Sequence, residues 1–165
     1  MYFSGIMRSR ELFKRLKEMA KDFSIQDLMN VRVFLEEDMK YLPEGYKEQY
    51  LRDQIMYFIN TLKEIKNKGE EDIEDYPIDE EKLRTLLQRI EGFKRDIKGE
   101  DSFIKLSKIV VPYLIFIGKK PLHPVGTRFP GGKCIVKKEN RYYCPVKNKQ
   151  KNDYSLCEFC VCEEL

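Results

Sequence analysis

The stretch Phe103-Ile-Lys-Leu-Ser-Lys-Ile-Val-Val-Pro-Tyr-Leu-Ile-Phe-Ile117 decides how this chain folds. Its last nine residues, Ile109 to Ile117, form the most apolar run in the sequence, with Pro112 inside it. A helix that crosses a bilayer needs about 20 apolar residues, so core burial is the expected fate of this run. The β-branched residues Ile109, Val110 and Val111 permit a strand, whereas the length of the segment favours a buried helix kinked at the proline. The choice sets the fold class. A buried helix here needs other helices to cover it.

The preceding sequence supplies them. Leu12, Phe13, Leu16, Met19, Ala20 and Phe23 recur three and four residues apart, as one face of a helix requires, and Ser9 stands where a cap is needed. Ser24 and Asp27 form a capping pair for a second helix carrying Leu28, Val31, Phe34, Leu35, Met39 and Leu42, which Pro43 ends. A third helix is predicted from Glu44, presenting Leu51, Ile55, Phe58, Leu62 and Ile65 and stopping near Gly69. Glu70 to Asp79 holds six acidic residues in ten and reads as a solvated linker rather than an acidic docking site. Asp79 caps a fourth helix through Leu83, Leu86, Leu87, Ile90, Phe93 and Ile97, closed by Gly99. The expected fold is therefore mainly α, with about five helices in a domain over 1–118.

Length and composition agree with this. A chain of 165 residues suits one domain or one domain with an appendage. Its 42% hydrophobic content can fill a core, and 36% charged residues cover the outside. Ten Tyr and ten Phe exclude a wholly disordered chain. Composition also excludes collagen, coiled-coil rods and membrane channels. Met1 to Arg10 lacks the apolar region and small-residue cleavage site of a secretory signal, so a cytoplasmic protein is expected, with no membrane partner.

The character of the chain changes at Gly118. Pro and Gly crowd the segment 119–165, which also holds the single histidine, His123, and all five cysteines: Cys134, Cys144, Cys157, Cys160 and Cys162. So short a loop-rich module needs a metal, a disulfide or a partner surface to hold it. Cys134 to Cys144 reads as a β-hairpin in which Ile135 and Val136 face Tyr142 and Tyr143. A three-residue turn with Asn140 left-handed pairs Val136 with Tyr142 and sets Cys134 opposite Cys144. A two-residue turn leaves the cysteines diagonal, still within reach of one ion.

Cys157-Glu-Phe-Cys160 adds a two-thiolate bite suited to a tetrahedral ion. Cys144, Cys157 and Cys160 form the centre of the expected metal site. Cys134 is first choice for the fourth ligand, with His123 and Cys162 in reserve. Zinc in a structural role is the preferred cofactor, ahead of an iron–sulfur cluster and of disulfides or free thiols. The odd cysteine count disfavours a disulfide framework. Zinc deaminase chemistry is disfavoured too, since Val125 stands where His-x-Glu needs Glu and Leu156 stands where Pro-Cys needs Pro.

His123 to Gly132 contains a Gly pair with Thr127 and Arg128 nearby, which could approach an anion, but no phosphate-loop spacing is present and a connector is favoured. From Lys119 onward the net charge is +5, against −2 before it. Thiolates around a metal absorb part of that excess. Arg128, Lys133, Arg141, Tyr142, Tyr143 and Lys147 are the candidate contacts to nucleic acid or a protein partner. Packing of the aromatics around the module, with solvated lysines, is the favoured alternative.

The stretches His123-Pro-x-Gly-x-x-Phe-Pro-Gly-Gly, Tyr142-Tyr-Cys-Pro-Val-Lys147 and Cys157-x-Phe-Cys160 resemble a family of uncharacterised proteins of methanogenic archaea. The resemblance extends over the whole chain. It implies an archaeal cytosolic protein with a cysteine-containing C-terminal module, and it implies no activity. A methanogen host raises the weight of iron–sulfur chemistry. The expected function is a metal-binding protein acting as a binding or assembly factor. The alternative is an iron–sulfur redox protein, or a metal-dependent enzyme using the His123/Arg128 loop; the sequence does not decide whether there is catalysis.

Overall fold

All five expected helices form in a computed structural model, which describes residues 7–38, 40, 44–92, 94, 96–129, 132–147 and 156–165. They are α1 (Ser9–Lys21), α2 (Ile25–Asp38), α3 (Glu44–Asn67), α4 (Glu80–Glu91) and α5 (Glu100–Pro112). Helix α5 touches all the others, and Ile109, Val110, Tyr113 and Leu114 are fully buried. A helix apolar on every side is stable only when covered on every side. The run read as helix or strand is helical throughout, because each neighbour is itself a helix with an apolar face to give.

Pro112 sits at the end of α5, and the five residues Tyr113–Ile117 widen into a π turn. Proline has no N–H to return to the preceding turn. One turn further on, the amide of Gly118 reaches the Tyr113 carbonyl at 2.7 Å, five residues back. The Tyr113 hydroxyl donates to Glu64 on α3 at 2.5 Å, and Lys120 pairs with the same carboxylate at 3.3 Å. Burial works against the Glu64 charge, but these donors prevail and hold its pKa below the usual range.

Several boundaries differ from expectation. Ser9 does not cap α1. Its hydroxyl donates to the Glu74 carbonyl at 2.6 Å and accepts from the Tyr76 amide at 2.9 Å. It thereby ties the acidic segment to the start of the helix. That segment is no free linker: Ile73 and Ile78 are buried, Arg8 pairs with Asp75, and Ile78 donates to the Met7 carbonyl. Helix α4 closes at Gly92 rather than Gly99. Gly99 opens α5, with φ 83°, and a Cβ there would lie 2.1 Å from the Asn30 carbonyl oxygen. Only glycine lets α5 begin this close to α2. Met39, Leu42, Pro43 and Phe93 lie outside the described residues.

A small sheet follows, in the order β1 (Val136–Lys138), β2 (Arg141–Cys144), β3 (Glu163–Glu164). β1 and β2 are antiparallel, while β3 runs parallel to β2. Phe159 and Leu122 are buried in the helical core, and Arg89 of α4 pairs with Glu158 while lying 5.0 Å from the centre of the Phe159 ring. The C-terminal module is thus packed on the helices. No helix among the described residues is long and apolar enough to cross a membrane.

The expected capping pair of α2 is present: the Ser24 amide donates to Asp27 at 3.0 Å, and the Asp27 amide donates to the Ser24 hydroxyl at 3.1 Å. Asp27 also receives Ser102 and Lys105 of α5, each at 2.9 Å. The Ser24 amide, with Lys105 and Ser102, holds the Asp27 pKa well below the usual carboxylate range despite the opposing effect of burial. The unfolded chain then binds more protons than the folded one below about pH 4, so this stabilisation is present at neutral pH and is lost on acidification. Ser24→Ala is expected to cost about 1 kcal/mol. Asp27→Asn should cost about 2 kcal/mol at pH 7 and flatten the acid limb of the stability profile, as measured by urea unfolding from pH 7 downward.

Candidate functional site

The hairpin turn sets the positions of the first two cysteines. Val136 pairs with Tyr143 and Lys138 with Arg141, leaving a two-residue turn, and Glu139 rather than Asn140 takes the left-handed conformation at φ 57°. Of the two turns considered, the three-residue one does not form and the two-residue one does, leaving Cys134 and Cys144 diagonal rather than opposite. Continuing the register places Ile135, not Cys134, opposite Cys144. Ile135 is buried together with Cys144 and Cys162. Successive residues of an extended strand face opposite sides. Cys134 is therefore turned away from this cluster and forms an isolated antiparallel bridge with Arg128.

The other four cysteines are neighbours. Cys144 feels the charges of Cys157 and Cys160, and Cys162 feels those of Cys160 and Cys144. Burial pushes the Cys144 thiol up, while the amides of Val146 and Lys147 donate to its sulfur and oppose that shift. The hairpin ends in Cys144-Pro-Val-Lys147, a turn in which the Lys147 amide donates to the Cys144 carbonyl at 3.3 Å. The side chains of Cys160 and Cys162 are hydrogen-bonded, which lowers the pKa of Cys160 and raises that of Cys162. The Cys160 sulfur also accepts from the amides of Cys162 and Leu122. Among the described residues, no three His, Cys, Asp or Glu side chains stand in a metal-holding arrangement.

Helix α3 supplies a wall that the sequence reading did not include. Tyr57 donates to the Pro121 carbonyl at 2.5 Å and Gln54 to the Leu122 carbonyl at 3.3 Å. Gln54 is buried, and its Oε1 has no partner among the described residues. Burial first, and then the charges of Cys160, Tyr142 and Cys162, keep the Tyr57 hydroxyl protonated. These contacts span more than sixty positions of sequence. No local motif announces them.

The remaining candidates fall into two groups. His123 lies edge-on to Phe129 with ring centres 5.7 Å apart, and burial pushes its pKa down to about 4. Its imidazole is neutral at physiological pH. Lys147 is buried, donating to the carbonyls of Cys157 and Cys160, so it is withdrawn from the solvent-facing role expected of it. Arg128, Lys133, Lys137, Lys138 and Arg141 are exposed. Lys137 lies 5.5 Å from the centre of the Tyr142 ring and Lys138 5.9 Å from that of Tyr143. Both rings are thus covered on one side by a lysine of the neighbouring strand.

Fold and site together define a helical protein carrying a cysteine-rich β module, with Cys160 and Cys162 near Tyr57 of its third helix. The chain belongs to the family described as an uncharacterized protein conserved in archaea, DUF2115, whose model matches residues 8–165. A UPF0305 protein of Methanocaldococcus jannaschii is 54% identical over 160 residues, covering 96% of this chain and 98% of the relative. A UPF0305 protein of Methanococcus maripaludis is 53% identical over 159 residues, with the same coverage. One from Methanothermobacter thermautotrophicus is 35% identical over 158 residues, covering 94% of this chain and 95% of the relative. No solved structure matches the chain.

If Tyr57 anchors the segment that feeds the thiols, Tyr57→Phe should cost about 1 kcal/mol through the lost hydrogen bond. Denaturant unfolding followed by circular dichroism measures this directly. An unchanged midpoint would show that the Pro121 contact contributes nothing.

Proposed function

We propose that this protein binds a structural metal, zinc, through thiolates of its C-terminal module, and works in the cytoplasm as a binding or assembly factor. What supports this reading is that Cys144 lies within electrostatic reach of Cys157 and Cys160, the three thiols expected to centre the site, and packs in one buried cluster with Cys162 and the partly buried Cys160. Hydrogen bonding holds the Cys160 pKa down and favours the thiolate, the form that binds metal, whereas burial keeps Cys144 on the thiol side. Closing a tetrahedral site from this arrangement requires side-chain rotations that bring sulfurs to about 2.3 Å from one centre.

The ion would fasten a segment with little apolar core of its own to the helical body. The partner surface on this reading is the hairpin and the segment before it, where Lys133, Lys137, Lys138 and Arg141 are exposed. It fits a polyanion or an acidic protein face. Nucleic-acid binding through it would weaken steeply with salt as phosphate contacts release counterions.

The deciding measurement is the element content of native protein purified without air. About one zinc per chain supports the reading, iron with matching acid-labile sulfide moves it to a cluster, and neither ends it. Cys157→Ala should release the ion and lower Tm by roughly 10 °C or more, because binding energy at such sites is folding energy and each kcal/mol shifts Tm by about 2–4 °C.

A further inference from the structure

Resting on the binding-factor reading above but not on its metal, we infer that single-stranded nucleic acid binds one face of the hairpin. Tyr143 stacks on a base, and Arg128, Lys138 and Arg141 meet phosphates. Lys133, Lys137 and Tyr142 take no part. The register of the strands sorts these residues.

Val136 pairs with Tyr143, Lys138 with Arg141, and Arg128 with Cys134. Paired residues of an antiparallel ladder point to the same side, and alternate residues of a strand share a side. Cys134, Val136 and Lys138 therefore stand on one face, with Arg128 beside Cys134 and with Arg141 and Tyr143 across on β2. Lys133, Ile135 and Lys137 stand on the opposite face with Tyr142 and Cys144. That second face is the covered one: Ile135, Cys144 and Cys162 are buried together, and Tyr142 packs against them. On the first face Arg128, Lys138 and Arg141 are exposed, and Val136 and Tyr143 are half-buried.

Charge and shape select the occupant. The acidic residue that the ladder adds to this face is Glu163, opposite Tyr143, and it pairs with Arg141 at 3.6 Å with the two side chains 49% and 71% exposed. So exposed a pair contributes little, and a phosphate can take the place of the carboxylate. Lys138 is four residues along the strand from Cys134, the partner of Arg128, a distance of about 13 Å. The cations thus follow an extended backbone rather than surround one small anion. The ring decides between polyanions. Lys138 lies 5.9 Å from the centre of the Tyr143 ring, which places a cation beside an aromatic surface. Base stacking on such a ring, with cations on the backbone, is how single strands are held without sequence preference. A duplex keeps its bases stacked on one another, and an acidic polypeptide has no flat ring beside each anion.

The test is fluorescence anisotropy of the full-length chain with short labelled oligo(dT) and oligo(U) over a range of salt concentrations. The expected result is binding whose logarithmic salt slope is about −2, since each of three single-strand phosphate contacts contributes about 0.7. Arg128→Gln, Lys138→Gln and Arg141→Gln should each flatten the slope by about 0.7. Lys133→Gln and Lys137→Gln remove the same charge from the other face and should leave it unchanged. Equal losses at all five positions mean attraction to net charge alone and overturn the inference. Tyr143→Leu should weaken binding by about 5–100-fold. A second readout needs no substitution: ultraviolet crosslinks from bound oligo(U) to the native chain, mapped by mass spectrometry, should fall on Tyr143. Crosslinks on Tyr142 overturn the assignment, as does tighter binding of a duplex. Capture of poly-glutamate with neither oligonucleotide bound refutes the nucleic-acid partner and leaves the binding-factor reading standing. A chain that holds none of these probes refutes the hairpin as a polyanion surface under both.

Discussion

The helical body is arranged around the need to cover the apolar run that ends α5 and continues into the π turn. Residues Ile109 to Leu114 are essentially without solvent contact, and each of the other four helices packs against α5. That demand explains why the chain spends its first 98 residues on four amphipathic helices before the apolar run is made. It also explains where polar groups are tolerated near the axis. Tyr113 carries its hydroxyl to Glu64 of α3, and Ser102 carries its own to Asp27 of α2, so these two polar groups find their partners on neighbouring helices.

The helical part was legible because helix formation and burial share one signal, apolar spacing, that is local in sequence. Leu12, Phe13, Leu16 and Ala20 are fully buried, as the spacing demands, and the Asp79 cap accepts from the Lys82 amide at 3.1 Å. What was misread had more than one valid local meaning. Gly92 and Gly99 both look like helix stops; only the proximity of Asn30 makes the second a start. Ser9 is a good cap in isolation, but the Glu74 carbonyl and Tyr76 amide compete for its hydroxyl. The candidate site was half legible. Clustering of cysteines in the last part of the chain is a matter of composition, but which thiol faces inward depends on one residue of turn length. A single step in register moves a side chain to the opposite face, and Asn140 is a more conventional left-handed residue than the Glu139 that adopts it. Gln54 and Tyr57 lie too far away in sequence to be found by any spacing rule.

Charge gives a second view of the same module. A basic segment invites the reading that every cation faces a partner. Here Lys147 points inward, Lys137 and Lys138 lie over aromatic rings, and Arg141 pairs with Glu163 at 3.6 Å. Net charge counted along a chain overstates the charge a surface offers, because folding assigns some cations to internal duties.

The π turn after Pro112 phases the two halves of the protein. A π turn holds one residue more than the α turn it replaces, and each residue of an α-helix advances the chain by about 100°. Had the turn stayed α-helical, Gly118 and all that follows would leave the helix on a different bearing. Pro121 and Leu122 would then miss Tyr57 and Gln54, and the amide of Leu122 would no longer meet the Cys160 sulfur. The extra residue works as an angular offset between a helical body and a thiol module, and a one-residue deletion within 113–117 would do more harm than its size implies.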